Sequence, residues 1–407
     1  MTSTAHRTGE PPSALPEFPM TREARCPFDP PPALRSMQQE TRLKRIQLWD
    51  GSTPWIVTRY EDQRSLLSDP RVSADRRNSG YPHQVPSDEE EFSFIQLDDP
   101  EHARQRRMVT SPFTIKRVEA MRPSTQRIAD DLIDQMSAGP KPVDLVEAFA
   151  LPLPSLVISD LLGVPYSDHN HFQDNSKIII KKTSTPEERD TAVAELASYL
   201  GELMGRKTAD PKDDLLSSVA KRVKDGELTP EQGVKTGMLM LIAGHETTAN
   251  MIALGALALL EHPDQMALLR DTDDPKLLAS ATEELLRYLN IIHTGGRRVA
   301  LVDIEIADQV IRAGEGLIMP TAVANRDADL FPEPDRLDIQ RDARRHIAFG
   351  FGVHQCLGQP LARMELQVAY GTLFRRIPDL RLATSLDKVT FKGDGLVYGV
   401  YELPVTW

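Results

Sequence analysis

Phe349-Gly350-Phe351-Gly352-Val353-His354-Gln355-Cys356-Leu357-Gly358-Gln359-Pro360 sets one of the chain's two cysteines among three glycines, just ahead of a proline that can open a helix. The other cysteine, Cys26, lies far upstream. A zinc or iron–sulfur site needs several thiolates or imidazoles at set spacings, and no second cysteine is near enough to help. His354 and Cys356 could begin a metal site, but no partner pair is evident. A nucleophilic thiol would want its own histidine base, and His354 is too close in sequence to reach round comfortably.

A thiolate that serves as the lone axial ligand of a metal already held by a macrocycle escapes all of these objections. Haem-thiolate ligation is that case, and electron donation from the thiolate favours cleavage of an O–O bond. The neighbours suit it. Glycines let backbone approach a flat cofactor closely. Gln359-Pro360 predicts a helix over 361–375, which puts the sulfur beside a helix N-terminus, where free amides and the dipole stabilise a thiolate. The bland alternative is a structural cysteine buried in a glycine-rich turn.

Outward from this loop, apolar residues recur at spacings of three and four over 61–67, 118–136, 153–162, 193–204, 215–223 and 277–289, which predicts helices. Thr229-Pro230-Glu231-Gln232 is a capping box launching a long helix to about Glu261, where His262-Pro263 ends it. Asp98-Asp99-Pro100-Glu101 offers a carboxylate cap with proline at the first helical position. Strand signals are fewer. They comprise 55–60, an alternating pair over 302–306 and 310–319 turning at Ala313-Gly314-Glu315-Gly316, and a C-terminal stretch over 389–405 around Lys392-Gly393-Asp394-Gly395. Residues 1–32, rich in proline and polar groups, read as an extended arm. The expectation is a mainly α protein with a smaller β-rich region.

Composition narrows the function classes. A net charge of −12 gives no support to nucleic-acid binding, which leaves a basic footprint. Two distant cysteines make a disulfide framework improbable and fit a reducing compartment. The N-terminal stretch lacks an apolar run, so neither signal peptide nor anchor is expected. The most apolar segment, 238–260, is interrupted by His245-Glu246-Thr247-Thr248-Ala249-Asn250, which argues against a membrane span. A cytoplasmic monomer, with no membrane and no nucleic acid among its partners, is the expectation.

Phe349-x-x-Gly352-x-x-x-Cys356-x-Gly358 resembles the haem-binding signature of the cytochrome P450 family. The likeness extends from about Cys26-Pro27-Phe28 to Tyr398-Gly399-Val400-Tyr401-Glu402-Leu403-Pro404, and is closest to the soluble actinobacterial class that hydroxylates macrolides, other secondary metabolites and xenobiotics. It implies the P450 fold over 1–407 as one domain, haem b as cofactor and Cys356 as the axial iron ligand. Phe349 is then expected to pack near the thiolate and Gly350 to lie against the haem.

The same resemblance assigns further residues. Glu284 and Arg287, an i,i+3 pair that alone would read as a solvated ion pair, become a buried pair behind the cysteine loop, joined by Arg336. His102 and Arg106 share a helix face and, with Arg297 and His354, fall at positions that bind the haem propionates. Strand alternation admits only one of Arg297 and Arg298, and Arg297 is the choice made here. On the long helix, Thr247 could simply bond back to the Ala243 carbonyl and bend the helix. The resemblance instead makes Ala243 and Gly244 the space for dioxygen, Thr247 the hydroxyl that stabilises activated oxygen, and Glu246 the acid that relays solvent protons. His245 is expected to pack or hydrogen-bond.

The implied reaction is insertion of one oxygen atom of O2 into an organic small molecule. No flavin or iron–sulfur segment is evident in the chain, so electrons are expected from a ferredoxin and its NAD(P)H-dependent reductase. Arg104, Arg107, Arg341, Arg344, Arg345 and Arg363 are candidates for the ferredoxin's docking patch, against the plainer reading that they are solvated. Substrate contacts are expected from 73–97, 165–189, Ile242 and Ala243, 291–294, and Leu396-Val397. Two rivals stay in view: a peroxide-using haem-thiolate oxidase, which commonly lacks an acid–alcohol pair, and a haem-binding sensor without turnover, which needs no proton relay.

Overall fold

Thr229 caps the long helix as its capping box predicts: its Oγ1 accepts from the Gln232 amide, while its own amide donates to Gln232 Oε1. The helix then runs unbroken over Pro230–Leu260. Its C-terminal half is apolar on every face, and Ile252, Leu254, Ala256, Leu257, Ala258 and Leu259 are wholly enclosed. Such a helix is stable only in the middle of a protein. Against it pack Pro152–Leu162, Pro186–Ala209, Leu215–Lys224 and Gln359–Arg376, and the last of these also lies along Ile115–Ala138. Each fully buried leucine contributes about 1.5–3 kcal/mol, so this bundle carries much of the stability. Every stretch with helical spacing in the sequence falls inside a helix.

The computed structural model describes residues 15–83, 93–180, 184–306, 308–393 and 397–407. Beside the helices lies a five-stranded sheet in the spatial order Leu43–Arg45, Trp55–Val57, Gly316–Met319, Gly296–Ala300, Val72–Ser73. Its Trp55–Val57 and Gly316–Met319 strands run parallel, and the other pairs are antiparallel. The turn expected near 313–316 forms, but its two arms join different sheets. Gln309–Ile311 pairs with Ile304–Ile306, while Gly316–Met319 enters the large sheet. Among the described residues, alternation over 389–405 yields the Phe391↔Val400 and Ile292↔Val397 bridges and the strand Pro404–Thr406; Asp394, Gly395 and Leu396 lie outside the described residues. Among the described residues no helix is long and apolar enough to cross a membrane.

Two local features go beyond what the sequence shows. The N-terminal arm is pinned where it is described. Phe18 is buried, Glu17 bridges to Gln47, and the Arg22 guanidinium lies 4.2 Å over the Tyr398 ring. Residues 1–14 fall outside the described part. In the Asp98-Asp99 pair the roles divide: Asp99 Oδ1 accepts from the Ala103 amide and faces His102 Nδ1, at 3.0 Å each. Asp98 instead turns away to Ser73 Oγ and the Ala74 amide, tying the helix Glu101–Thr110 to the sheet edge.

Candidate active site

Between the long helix and the cysteine loop lies a cavity of about 320 Å3, within the range of small-molecule and cofactor sites. The long helix lends it Ala243, Thr247, Thr248 and Met251, the cysteine loop Phe349, Gly350, Phe351, His354 and Cys356, and other segments Ile291, Ile292, Gly296, Arg298 and Met319. Cys356 lies deep in the fold, yet its sulfur meets open space because it faces this cavity. The loop is held by the Cys356 amide donating to the Phe349 carbonyl at 2.8 Å. Gly350 and Gly352 both take positive φ, +70° and +73°, a region that disfavours side chains. At 352 a methyl group would also overlap the Leu67 carbonyl oxygen.

Burial raises the Cys356 thiol's pKa. The amides of Gly358 and Gln359 and the guanidinia of Arg106 and Arg363 pull the other way. The helix start predicted from Gln359-Pro360 therefore does what the sequence asked of it: it aims two N–H groups at the sulfur.

Positive groups gather at one end of the cavity. The His102 and His354 rings lie 4.1 Å apart, and Arg106 Nη2 donates to the Gln355 carbonyl at 2.6 Å. Burial first, then the charges of Arg298, His102 and Arg106, push His354 down to about 3. Among the described residues His102 Nε2 is buried without a hydrogen-bond partner. The fourth member is Arg298 and not the expected Arg297. On the strand Gly296–Ala300, alternate residues Gly296 and Arg298 face the cavity, and Arg298 Nη1 donates to the Arg297 carbonyl at 2.7 Å. Arg297, of the opposite parity on the strand, does not line the cavity. The adjacent pair made the choice of parity arbitrary from sequence; the register with Gly316–Met319 decides it.

Along the long helix, Thr247 Oγ1 donates to the Ala243 carbonyl at 2.8 Å, as the local account required, while also lining the cavity. Gly244 departs from expectation. It does not line the cavity, and a methyl group there would stand 3.0 Å from Ile158 Cδ1, so its smallness serves packing against Pro152–Leu162. Ala243 alone of the pair opens space. Glu246 is half-buried beside the cavity wall, and burial raises its pKa. His245 is enclosed and bonds the Leu241 carbonyl, with burial holding it down to about 4.

Beneath the loop, Glu284 and Arg287 form a bidentate pair at 2.7 and 2.8 Å with no exposure on either side chain. The third member is Arg341, whose Nε donates to Glu284 Oε1 at 3.2 Å. The expected Arg336 is solvent-facing, and it contributes only its carbonyl, which accepts from Arg287 and Arg341. A second network had no sequence signature. Glu283 accepts from Arg363 at 2.6 and 3.0 Å and lies 3.1 Å from His346 Nε2. Arg363 in turn sits 4.6 Å over the Phe349 ring, which fixes that ring beside the loop. Arg341 and Arg363 are thereby committed inward, while Arg104 pairs with Glu101, Arg344 with Asp342 and Arg345 with Glu61.

The family model for cytochrome P450 matches residues 187–377. Over the whole chain, cytochrome P450 GfsF of Streptomyces halstedii is 56% identical and is covered to 99% of its own length. This chain is a cytochrome P450. The crystal structure of GfsF superposes on 96% of the P450 with a TM-score of 0.93 at 57% identity, and covers all of that chain. Mycinamicin VIII C21 methyl hydroxylase of Micromonospora griseorubida is 42% identical over 96% of this P450 and 99% of that protein. Its structure bound to mycinamicin VIII gives a TM-score of 0.88, covering 97% of this P450 and all of that chain, at 41% identity.

The P450 is therefore a monooxygenase whose cofactor is haem b and whose oxidant is O2, with NAD(P)H acting through redox partners. The residues present fit that cofactor. The cavity is lined mostly by apolar groups, a thiol faces into it, and cationic side chains converge at one end where an unpartnered imidazole nitrogen awaits an acceptor.

Proposed function

We propose that this P450 hydroxylates a large apolar natural product, of the macrolide class or similar, in a single domain whose site residues gather in and around one cavity. The observation that carries the reading is that Cys356 and Thr247, from the cysteine loop and the long helix, line the same cavity. Cys356 would hold the haem iron, and the bound haem supplies oxygen activation and transfer to a C–H bond. His102, Arg106, Arg298 and His354 would bind its two propionates through charge-assisted hydrogen bonds. Phe349 and Gly350 pack the thiolate side, and Ala243 leaves space on the other.

The distal side chains handle protons. The Glu246 carboxyl, raised by burial, holds a proton nearer neutrality than a solvated glutamate does. Thr247 Oγ1 both accepts and donates, so it can pass that proton on and stabilise the oxygen substrate by hydrogen bonding once it leaves the Ala243 carbonyl. Ile291, Ile292 and Met319 keep the cavity dry and give a bulky apolar substrate its contact surface. Of the other expected contact segments, residues 84–92, 181–183 and 396 lie outside the described residues.

The P450's electrons would come from a ferredoxin and its reductase in the cytoplasm, with the P450 acting as a monomer. Of the expected docking arginines, Arg107, Arg344 and Arg345 stay exposed, and Val353 at the tip of the cysteine loop is 57% exposed. The acid–alcohol pair favours O2 over the peroxide-using rival, and the apolar cavity favours turnover over mere sensing.

The test is a pair of measurements. Reduced, haem-loaded protein with carbon monoxide is expected to show the red-shifted Soret band of a thiolate ligand, and its absence would refute the ligation. Thr247→Ala is expected to consume NAD(P)H while releasing peroxide in place of hydroxylated product; coupled hydroxylation in that variant would refute the relay.

A further inference from the structure

Arg363 lies one turn into the helix Gln359–Arg376, and its side chain meets the cysteine loop. The guanidinium sits 4.6 Å over the Phe349 ring, and Nη1 donates to Gln359 Oε1 at 2.7 Å. Both of those residues reach the thiol through the backbone. The Cys356 amide donates to the Phe349 carbonyl at 2.8 Å, and the Gln359 amide is one of two aimed at the sulfur. Arg363 therefore touches the two residues that frame Cys356.

Glu283 sets how much of that positive charge the loop feels. It is buried, and both its oxygens accept from Arg363, Oε1 from Nε at 2.6 Å and Oε2 from Nη2 at 3.0 Å. Oε2 also lies 3.1 Å from His346 Nε2. The Ala348 amide donates to His346 Nδ1 at 3.1 Å, so the ring carries its proton on Nε2 and gives it to Glu283. A second ring proton would stand against the Ala348 amide, so the imidazole adds no charge. The three side chains thus hold one cation and one anion. Lys276, Asp342 and Arg344 line a surface cavity beside the pair and are exposed, so water screens them far more than the buried contact on Phe349.

A positive charge beside a redox centre favours the state with one more electron, and a negative charge the state with one fewer. We infer that Glu283 and Arg363 set the reduction potential of the haem on Cys356: the guanidinium over Phe349 draws electron density from the thiolate and favours the ferrous state, while the Glu283 carboxylate offsets that charge and fixes where it lies. Neither side chain lines the cavity, so both act through Phe349 and Cys356 and neither is catalytic. This rests on Cys356 being the axial ligand in the proposed reaction.

The test uses the ferric holoenzyme, its Glu283→Gln, Arg363→Met and Arg363→Lys variants, and the double variant Glu283→Gln with Arg363→Met. Each is brought to equilibrium with dye mediators while the Soret band is followed, so no protein partner has to dock. Glu283→Gln is expected to raise the ferrous-to-ferric ratio at a fixed applied potential about three- to tenfold, a shift of about +30 to +60 mV. Arg363→Met is expected to lower the ratio by a similar factor. The double variant should return toward the parent value, and Arg363→Lys should stay near it. A merely structural role would move both single variants the same way, since either loosens Phe349, and the double variant would not reverse it. Should Glu283→Gln fold poorly, Arg363→Met against Arg363→Lys decides alone. Shifts of one sign, no shift, or a double variant no nearer the parent than the single ones would overturn the tuning and leave the thiolate's carbon monoxide band in place. Absence of that band in the parent protein would overturn the ligation, and this inference with it.

Discussion

Replacing Arg298 with methionine should loosen haem, and replacing Arg297 should not. Arg298 faces the cavity beside His354 and is largely buried, and its Nη1 donates to the Arg297 carbonyl. A charge-assisted hydrogen bond in such a place contributes about 1.5–3 kcal/mol. At 1.4 kcal/mol per decade, Arg298→Met should weaken haem retention about 10- to 150-fold. Methionine keeps most of the stem's volume, so the loss reports the guanidinium and not a cavity. Arg297 lies on the opposite side of the strand, and Arg297→Met should leave retention within about twofold. The assay is transfer of haem to excess apomyoglobin, followed by the Soret shift, with urea midpoints measured in parallel to separate cofactor loss from unfolding. Equal loss in both variants, or faster loss from Arg297→Met, would show that strand parity does not select the propionate ligand.

Arg341→Ala should cost about 2–3 kcal/mol, since it strips a hydrogen-bonded cation from the fully buried Glu284 carboxylate, whereas exposed Arg336→Ala should stay within about 0.5 kcal/mol; urea unfolding of the holoenzyme distinguishes them. Glu283 is buried, which raises its pKa, but its bonds to His346 and Arg363 outweigh that and hold it down to about 2. Its folded value is depressed, so its contribution, about 3 kcal/mol, is complete above the ordinary glutamate value and fades as the pH falls toward 2. Glu283→Gln should therefore flatten the decline in urea midpoint between about pH 5 and 3.5, and an unchanged slope would count against the network. For the redox partner, Arg107→Gln with Arg344→Gln should slow ferredoxin-driven turnover and spare peroxide-driven turnover; equal loss in both would exclude docking through these side chains.

What could be read in advance follows the range of the interactions involved. The helices were legible because amphipathic spacing and caps such as Thr229-x-x-Gln232 act within a few residues. The thiolate site was legible because its chemistry is compressed into ten residues from Phe349 to Gly358. Gly244 misled because a glycine on a helix has the same appearance whether it clears a ligand or admits a neighbouring helix; only Ile158 across the interface tells which. Arg336 misled because it and Arg341 sit five residues apart in an irregular segment, where no periodicity relates sequence position to direction. The Glu283, His346 and Arg363 network joins three separate segments and left no local trace.

By itself, then, the sequence determined the family, the cofactor and the reaction class, since these depend on Cys356 in its glycine loop and on an acid beside an alcohol in a long apolar helix. The tertiary structure decided which of two adjacent arginines faces the cavity and which of two nearby ones closes the buried ion pair. Those outcomes rest on strand register, on irregular backbone direction and on contacts between segments remote in sequence. Each is a difference of a few ångströms set by packing, and packing is a property of the whole chain.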